Sequence, residues 1–143
     1  MAVARDEPQT PELKVWLAPV AGEVVGDEDE IRGAVANLLD NAVEASEADR
    51  RPVEIRTGMA DGRAFVEIKD EGCGIAPADV ERLFRPFHTT KTKGTGLGLV
   101  IARSAVEAAG GKVTLAPREE GKGAVARIEL AMAAAPGLEK EKR

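Results

Sequence analysis

The spacing of apolar residues changes character several times along the chain, and each change predicts an element. Leu13-Lys-Val-Trp-Leu17 alternates as a short strand does, and Pro19 and Gly22 end it. The period then lengthens to that of a helix. Ile31, Ala34, Val35, Leu38 and Ala42 recur at helical intervals, Asp27 is a suitable N-cap with Glu30 three residues on, and the helix is expected to run to about Ser46. Two strand-like runs follow, Val53–Thr57 and Ala64–Lys69, which should pair as a hairpin joined by Gly58-Met-Ala-Asp-Gly62, where Asp61-Gly62 supplies the turn. Residues 70–96 mix Gly, Pro and Thr without a sustained period and are expected to form a long functional loop, a lid. A second helix beginning near Leu97 would put Leu97, Val100, Ile101, Ser104, Ala105 and Ala108 on one face before Gly110-Gly111 stops it. Two last strands, Lys112–Ala116 and Ala124–Ala131, flank a Gly-rich turn at 121–123. The order β-α-β-β-lid-α-β-β predicts a two-layer α/β sandwich with helices on one sheet face.

Composition narrows the class. At 143 residues the chain is long enough for one domain, expected over 12–132 between flexible segments at 1–11 and 133–143. Twenty Lys+Arg, scattered against 25 Asp+Glu, form no basic stripe, so nucleic acid is not an expected partner. A single cysteine, Cys73, excludes an internal disulfide or a multi-cysteine zinc site. No apolar run approaches the roughly 18 residues of a membrane span, and MAVARDEPQTP lacks the apolar core of a signal peptide, so a cytoplasmic location is expected.

Three groups of residues suggest chemistry. On the first helix, Glu30, Asn37, Asn41 and Glu44 fall along one line, with Asn41 beside the apolar stripe. Two poor helix formers at an i, i+4 spacing read either as a solvated polar face or as amides offering carbonyl oxygens to a hard cation such as Mg²⁺. At the end of the row Ala64, Val66, Ile68 comes Asp70, which reads either as a turn initiator or as a carboxylate that accepts a hydrogen bond from a purine amino group, with Gly72 and Gly74 allowing close approach of a ring. Gly94-Thr-Gly-Leu-Gly98 precedes the second helix, where free N–H groups favour an anion, and Lys91 and Lys93 could reach a terminal phosphate. It is neither a Walker A loop nor a dinucleotide fingerprint.

Together these segments resemble, over roughly residues 13–131, the catalytic ATP-binding domain of bacterial sensor histidine kinases, related to gyrase, the ninety-kilodalton heat-shock chaperone and mismatch-repair ATPases. Asn37-Leu-Leu-Asp-Asn41-Ala-Val-Glu-Ala45 looks like the N box, Asp70-Glu-Gly72-Cys-Gly74 like the first glycine box, and Gly94-Thr-Gly96-Leu-Gly98-Leu99 like the second. Leu83-Phe84-Arg-Pro-Phe87-His-Thr-Thr-Lys91 is similar to the F box in the variant found in nitrogen-regulation-type kinases. The resemblance implies a Bergerat-type fold with a mixed sheet, ATP and Mg²⁺ as ligands, Asn41 on the metal, Asn37 beside metal and phosphate, Asp70 on the adenine amino group and Lys91 near the γ-phosphate. It further implies nucleotide contacts from Gly72, Gly74, Ile75, Phe87 and Thr90. The second glycine box adds Gly94, Thr95, Gly96, Leu97, Gly98 and Leu99, and Phe84 and Phe87 would anchor the lid. Two departures stand out. Gly121-Lys-Gly-Ala124 carries Ala where members often have a Thr near the adenine, and Glu44 occupies a position that is often basic, so no phosphate role is assigned to it.

The implied reaction moves the γ-phosphoryl group of Mg·ATP to a histidine on a separate dimerisation domain, with a response regulator as an indirect partner and the isolated domain a monomer. The only histidine here, His88, lies inside the F box and reads as a lid residue rather than the acceptor. A second reading is a stand-alone ATPase or protein-serine kinase of the same superfamily. Those branches typically carry a Glu base four residues before the metal-binding Asn, and here the residue is Asn37, although Asp40 or Glu44 could act as base. A third reading is a nucleotide-sensing domain without activity.

Overall fold

The computed structural model describes residues 12–18, 22–46, 51–72, 74–85, 98–119 and 121–133. Five strands, β1 (Leu13–Leu17), β2 (Val53–Ala60), β3 (Arg63–Lys69), β4 (Lys112–Pro117) and β5 (Ala124–Ala131), form one sheet in the order β1-β2-β3-β5-β4. The β1–β2 pair is parallel and the other three pairs are antiparallel, so the sheet is mixed. Helices α1 (Glu28–Ser46) and α3 (Gly98–Ala108) pack on one face of it, and a short α2 (Val80–Leu83) lies between them in sequence. This is the expected two-layer sandwich.

Burial follows from the two periodicities. Along β5 every second residue, Ala124, Ala126, Ile128 and Leu130, is buried, and Ala64 and Ile68 of β3 join them on the helix side. From α1 come Ala34, Leu38 and Ala42, from α3 Ala102 and Val106. The opposite face of the sheet is charged. There Arg127 bridges Glu67 and Glu129 at 3.1 Å each, while its guanidinium carbon lies 4.1 Å from the centre of the Phe65 ring.

Local chemistry explains the element ends. The N–H of Glu30 donates to Asp27 Oδ1 at 3.0 Å, which is the expected cap of α1. The hairpin turn is shorter than the sequence suggests. Only Asp61 (φ 53°) and Gly62 (φ 76°) separate the strands, a left-handed pair of the kind that matches strand twist. Gly58, read as part of the connection, instead lies in β2 opposite Phe65, where a Cβ would come within 3.0 Å of the ring.

Two further readings need correction. The buried face of α3 is Ala102 and Val106, with Leu99 and Ala105 partly buried, whereas Ser104 and Ala108 are exposed and Ile101 is 54% exposed. Helix α3 lies close against α1, and small alanines suit such an approach better than Ile101 does. The stretch taken as irregular contains a 3₁₀ turn at Pro77–Asp79 that leads into α2, with Pro77 at a first-turn position where its missing N–H costs nothing. Trp16 is 45% exposed on β1, with Arg56 stacked 4.9 Å from its ring centre.

Ser46, the last residue of α1, is fully buried, and its hydroxyl has no hydrogen-bond partner among the described residues. An unpaired buried hydroxyl loses its hydration without compensation. Ser46→Ala should therefore raise the unfolding free energy by about 1 kcal/mol, read as a higher urea midpoint at unchanged m value. A lower midpoint would show that the hydroxyl is satisfied.

Candidate functional site

A cavity of about 170 Å³ opens between α1 and the helix-side face of the sheet. Its walls are mostly apolar and small: Ala42 and Ala45 from α1, Ile68 from β3, Leu115 from β4, and Ala124 and Ala126 from β5. Leu83 and Leu99 close it from the side of α2 and α3. Among the described residues, two polar side chains line it, those of Asn41 and Asp70. A slot of small side chains with few polar groups suits a flat apolar ring whose edge carries hydrogen-bonding atoms.

Asp70 is 6% exposed, a depth at which a carboxylate requires donors. The backbone N–H of Gly72 donates to its Oδ1 at 2.9 Å and that of Ala124 at 3.2 Å. The first bond is an Asx turn, so the turn-initiating reading of Asp70 is correct as far as it goes. The second ties the end of β3 to the start of β5, and there the backbone also pairs, Asp70 N–H donating to Ala124 C=O at 3.0 Å. Among the described residues both donors converge on Oδ1. Burial pushes the Asp70 carboxyl above its usual range, opposed by the bonds from Gly72 and Ala124 and by the nearby positive charge of Arg118.

The two glycines after Asp70 stand in different surroundings. A Cβ on Gly72 would come within 2.2 Å of the Ala45 carbonyl oxygen, so this residue lets the 70–72 turn press against α1. Gly74, which does line the cavity, has φ 83° and faces Gly123. Gly123 was missed as a site residue. Its φ is 123° and a Cβ there would come within 2.0 Å of the Asp70 carbonyl oxygen, so only glycine allows β5 to begin where Ala124 N–H reaches Asp70. The Gly-rich turn before β5 was the available signal. Ala124 thus engages Asp70 through its backbone, a contact that requires no side-chain hydroxyl.

Of the α1 amides, Asn41 is half-buried at the cavity wall. Asn37, one turn earlier, instead donates from Nδ2 to the Gly98 carbonyl at 3.2 Å and so joins α1 to the first residue of α3. Glu30, Asp40 and Glu44 are exposed. Ile75, Gly74 and Leu99 line the cavity as expected. Phe84 is buried in the core beneath Arg103, 4.4 Å from its ring centre, and Arg103 also lies 3.7 Å from Glu81, which anchors the chain after α2 against α3. Phe87, His88, Thr90, Lys91, Lys93, Gly94, Thr95, Gly96 and Leu97, together with Cys73, lie outside the described residues.

Among the described residues no cluster of three or more His, Cys, Asp or Glu could hold a metal by itself. The donors at the cavity fit a different arrangement, one amide oxygen from Asn41 complemented by ligand oxygens and water, as hard cations accept. No helix among the described residues is long and apolar enough to cross a membrane.

Comparison with known proteins agrees with this geometry. Residues 26–134 match the family model described as histidine kinase-, DNA gyrase B-, and HSP90-like ATPase. The sensor protein FixL of Bradyrhizobium diazoefficiens is 37% identical over 132 residues, covering 91% of this chain and 26% of that protein. The sensor histidine kinase ZraS of Salmonella typhimurium is 37% identical over 108 residues, covering 75% of this chain and 23% of that one. Among solved structures, a mycobacterial sensor histidine kinase, MprB, superposes with a TM-score of 0.76 at 29% identity, covering 94% of this chain and 89% of that one. The chain spans about a quarter to two fifths of the length of the first curated relatives it matches. With the family model covering most of the chain and similar relatives that are sensor histidine kinases, the chain belongs to the histidine kinase-, DNA gyrase B- and HSP90-like ATPase family.

Proposed function

We propose that this chain binds Mg·ATP and donates the γ-phosphoryl group to a histidine carried on a separate dimerisation domain, in two-component signalling. One observation carries the reading: a buried carboxylate, Asp70, fixed by two backbone N–H groups, at the end of a slot walled by alanines and leucines and shared with Asn41. A purine amino group supplies the donor that Asp70 requires, and guanine, which carries a carbonyl at that edge, would oppose the carboxylate with an acceptor. The family and the sensor-kinase relatives support ATP as the nucleotide and histidine as the acceptor. The F box sequence at 83–91 supports the nitrogen-regulation-type subclass.

In this reading Asp70 orients the adenine, and Asn41 would hold Mg²⁺, which neutralises phosphate charge and orients the oxygens. Asn37 stands beside metal and phosphate, tied to the start of α3 through Gly98. Lys91 and the 94–98 segment would neutralise phosphate charge, with Phe87 and Thr90 against the nucleotide. The imidazole nitrogen of the acceptor forms the new P–N bond as the bond to ADP breaks, so positioning and charge neutralisation supply the catalysis and the chain needs no strong base. The amide at Asn37 agrees with that. A carboxylate there would activate water or serine, the route of the stand-alone ATPase and serine-kinase branches. A response regulator would receive the phosphoryl group from the histidine.

Calorimetric titration of ATP, ADP and GTP, with and without Mg²⁺, tests the pocket. Adenine-selective binding is expected, and equal binding of GTP refutes the assignment. Asp70→Asn turns an amide NH₂ toward the adenine amino group and should weaken ATP about ten- to a hundredfold, the worth of a hydrogen bond to a charged acceptor. Asn41→Ala should remove the enhancement of ATP affinity by Mg²⁺, and retention of that enhancement takes Asn41 off the metal. A protonated Asp70 accepts less well. Because its pKa is raised, ATP affinity should begin to fall on acidification at a pH above the ordinary aspartate value of 3.8, a limb that Asp70→Asn lacks. The group's effect on folding has the opposite sense. Its raised pKa makes ionisation harder in the folded state, so its contribution to stability declines as pH rises from the unfolded value to the folded one and is constant above. Incubation with radiolabelled ATP and a histidine-bearing hairpin domain should yield acid-labile phosphate on the hairpin. Release of inorganic phosphate alone would favour the ATPase branch.

A further inference from the structure

Behind the cavity, on the far side of Asp70, three charged residues from separate segments meet. Arg51 precedes β2, Glu71 follows Asp70, and Arg118 follows β4. Arg51 donates to Glu71 Oε1 from Nη2 at 2.6 Å and from Nε at 3.1 Å. Arg118 Nη1 lies 3.7 Å from Glu71 Oε2 and donates to the Asp70 carbonyl oxygen at 3.4 Å. Its own backbone N–H donates to Gly123 C=O at 3.1 Å, and a Cβ on Gly123 would come within 2.9 Å of Arg118 Cδ. The guanidinium of Arg118 thus sits in the corner formed by the 70–72 turn and the start of β5, the two segments that donate to the Asp70 carboxylate. Its side chain is 22% exposed and that of Glu71 24%, more enclosed than surface ion pairs that contribute little.

We infer that Arg118, held in place by Glu71 and Arg51, is a positioning residue for adenine recognition: it fixes the main chain at Asp70 so that the carboxylate is aimed into the cavity. The inference rests on the reading of Asp70 as the adenine acceptor. It adds a second layer, drawn from residues outside the motifs that identify the family. The charged groups around Asp70 agree with it. Arg118 is the charge that favours ionised Asp70, while Arg51, Arg118 and Lys14 of β1 hold the Glu71 carboxyl below its usual range, so Glu71 stays charged and retains Arg118. Lys122 lines the outer cleft with Arg51 and Glu71. Among the described residues, the other cavity walls, from α1, α2, α3, β3, β4 and β5, carry no titratable side chain.

A residue that merely braces the fold would weaken all nucleotides alike. One that aims Asp70 should affect the amino contact selectively. Two probes separate these cases, ATP and purine riboside triphosphate, which has the same ring and phosphates without the exocyclic amino group. Titrating both into the chain and its variants, the wild type should prefer ATP. Arg118→Gln should weaken ATP about three- to tenfold while leaving the analogue nearly unchanged, Arg118→Lys should recover part of the preference, and Glu71→Gln should reduce it in the same direction. If Arg118→Gln does not fold, as judged by its thermal transition, Glu71→Gln and Arg118→Lys carry the test. An unchanged preference in the folded variants, beside a wild type that prefers ATP and an Asp70→Asn variant that does not, overturns the role of Arg118 and leaves that of Asp70 standing. A wild type without preference overturns both.

Discussion

A carboxylate that the fold has largely withdrawn from water is the constraint that organises this molecule. Asp70 can occupy its place only because two backbone N–H groups reach Oδ1, and each of those depends on a glycine that admits a close approach. Gly72 allows the turn to press on α1, and Gly123 allows β5 to start beneath the Asp70 carbonyl. The same few atoms therefore join three structural elements and create the acceptor that a ligand meets. Stability and recognition share one set of contacts, so the site cannot be loosened without loosening the sheet.

The helix layer supplies the rest. Helix α1 contributes its small buried face to the core and its half-buried edge, with Asn41, to the cavity, a division that follows from helical periodicity. Helix α3 packs close to α1 through alanines, and Asn37 closes the seam between them at Gly98. Asn37 and Asn41, which would stand near phosphate and metal, thus belong to the helix layer, while the ring slot lies between that layer and the sheet. Positioning chemistry benefits from such a foundation, since small displacements of the reacting groups cost rate steeply.

Much of this was legible in the sequence. The strand and helix order, the Asp27 cap and the inward row ending at Asp70 each come from a local rule, a period or a cap, that operates within one segment. What escaped depends on contacts between segments. The face of α3 was assigned from Ile101 and Val100 because larger apolar residues weigh more in a periodic pattern, whereas close helix packing selected Ala102 and Val106. Gly58 read as turn chemistry because its reason for being glycine is Phe65, on the neighbouring strand. Gly72 was credited to a ligand when its neighbour is Ala45. Gly123 and Arg118 carry no motif, and their importance arises only when β5 is set beside β3.

The placement of β1 divides the sheet unequally. It is an edge strand joined to β2 alone, and Leu13, Val15, Trp16 and Leu17 all remain exposed, so little apolar burial holds it. β5 is bonded on both sides and buries alternate residues at the centre of the core. Local opening at β1 breaks one ladder and uncovers almost nothing, whereas release of β5 dismantles the domain. Amide protons of β1 are accordingly expected to exchange through fraying, and those of Ala126, Ile128 and Leu130 only through global unfolding. The edge strand β1 and the inner strand β5 thus report on different free energies within one chain.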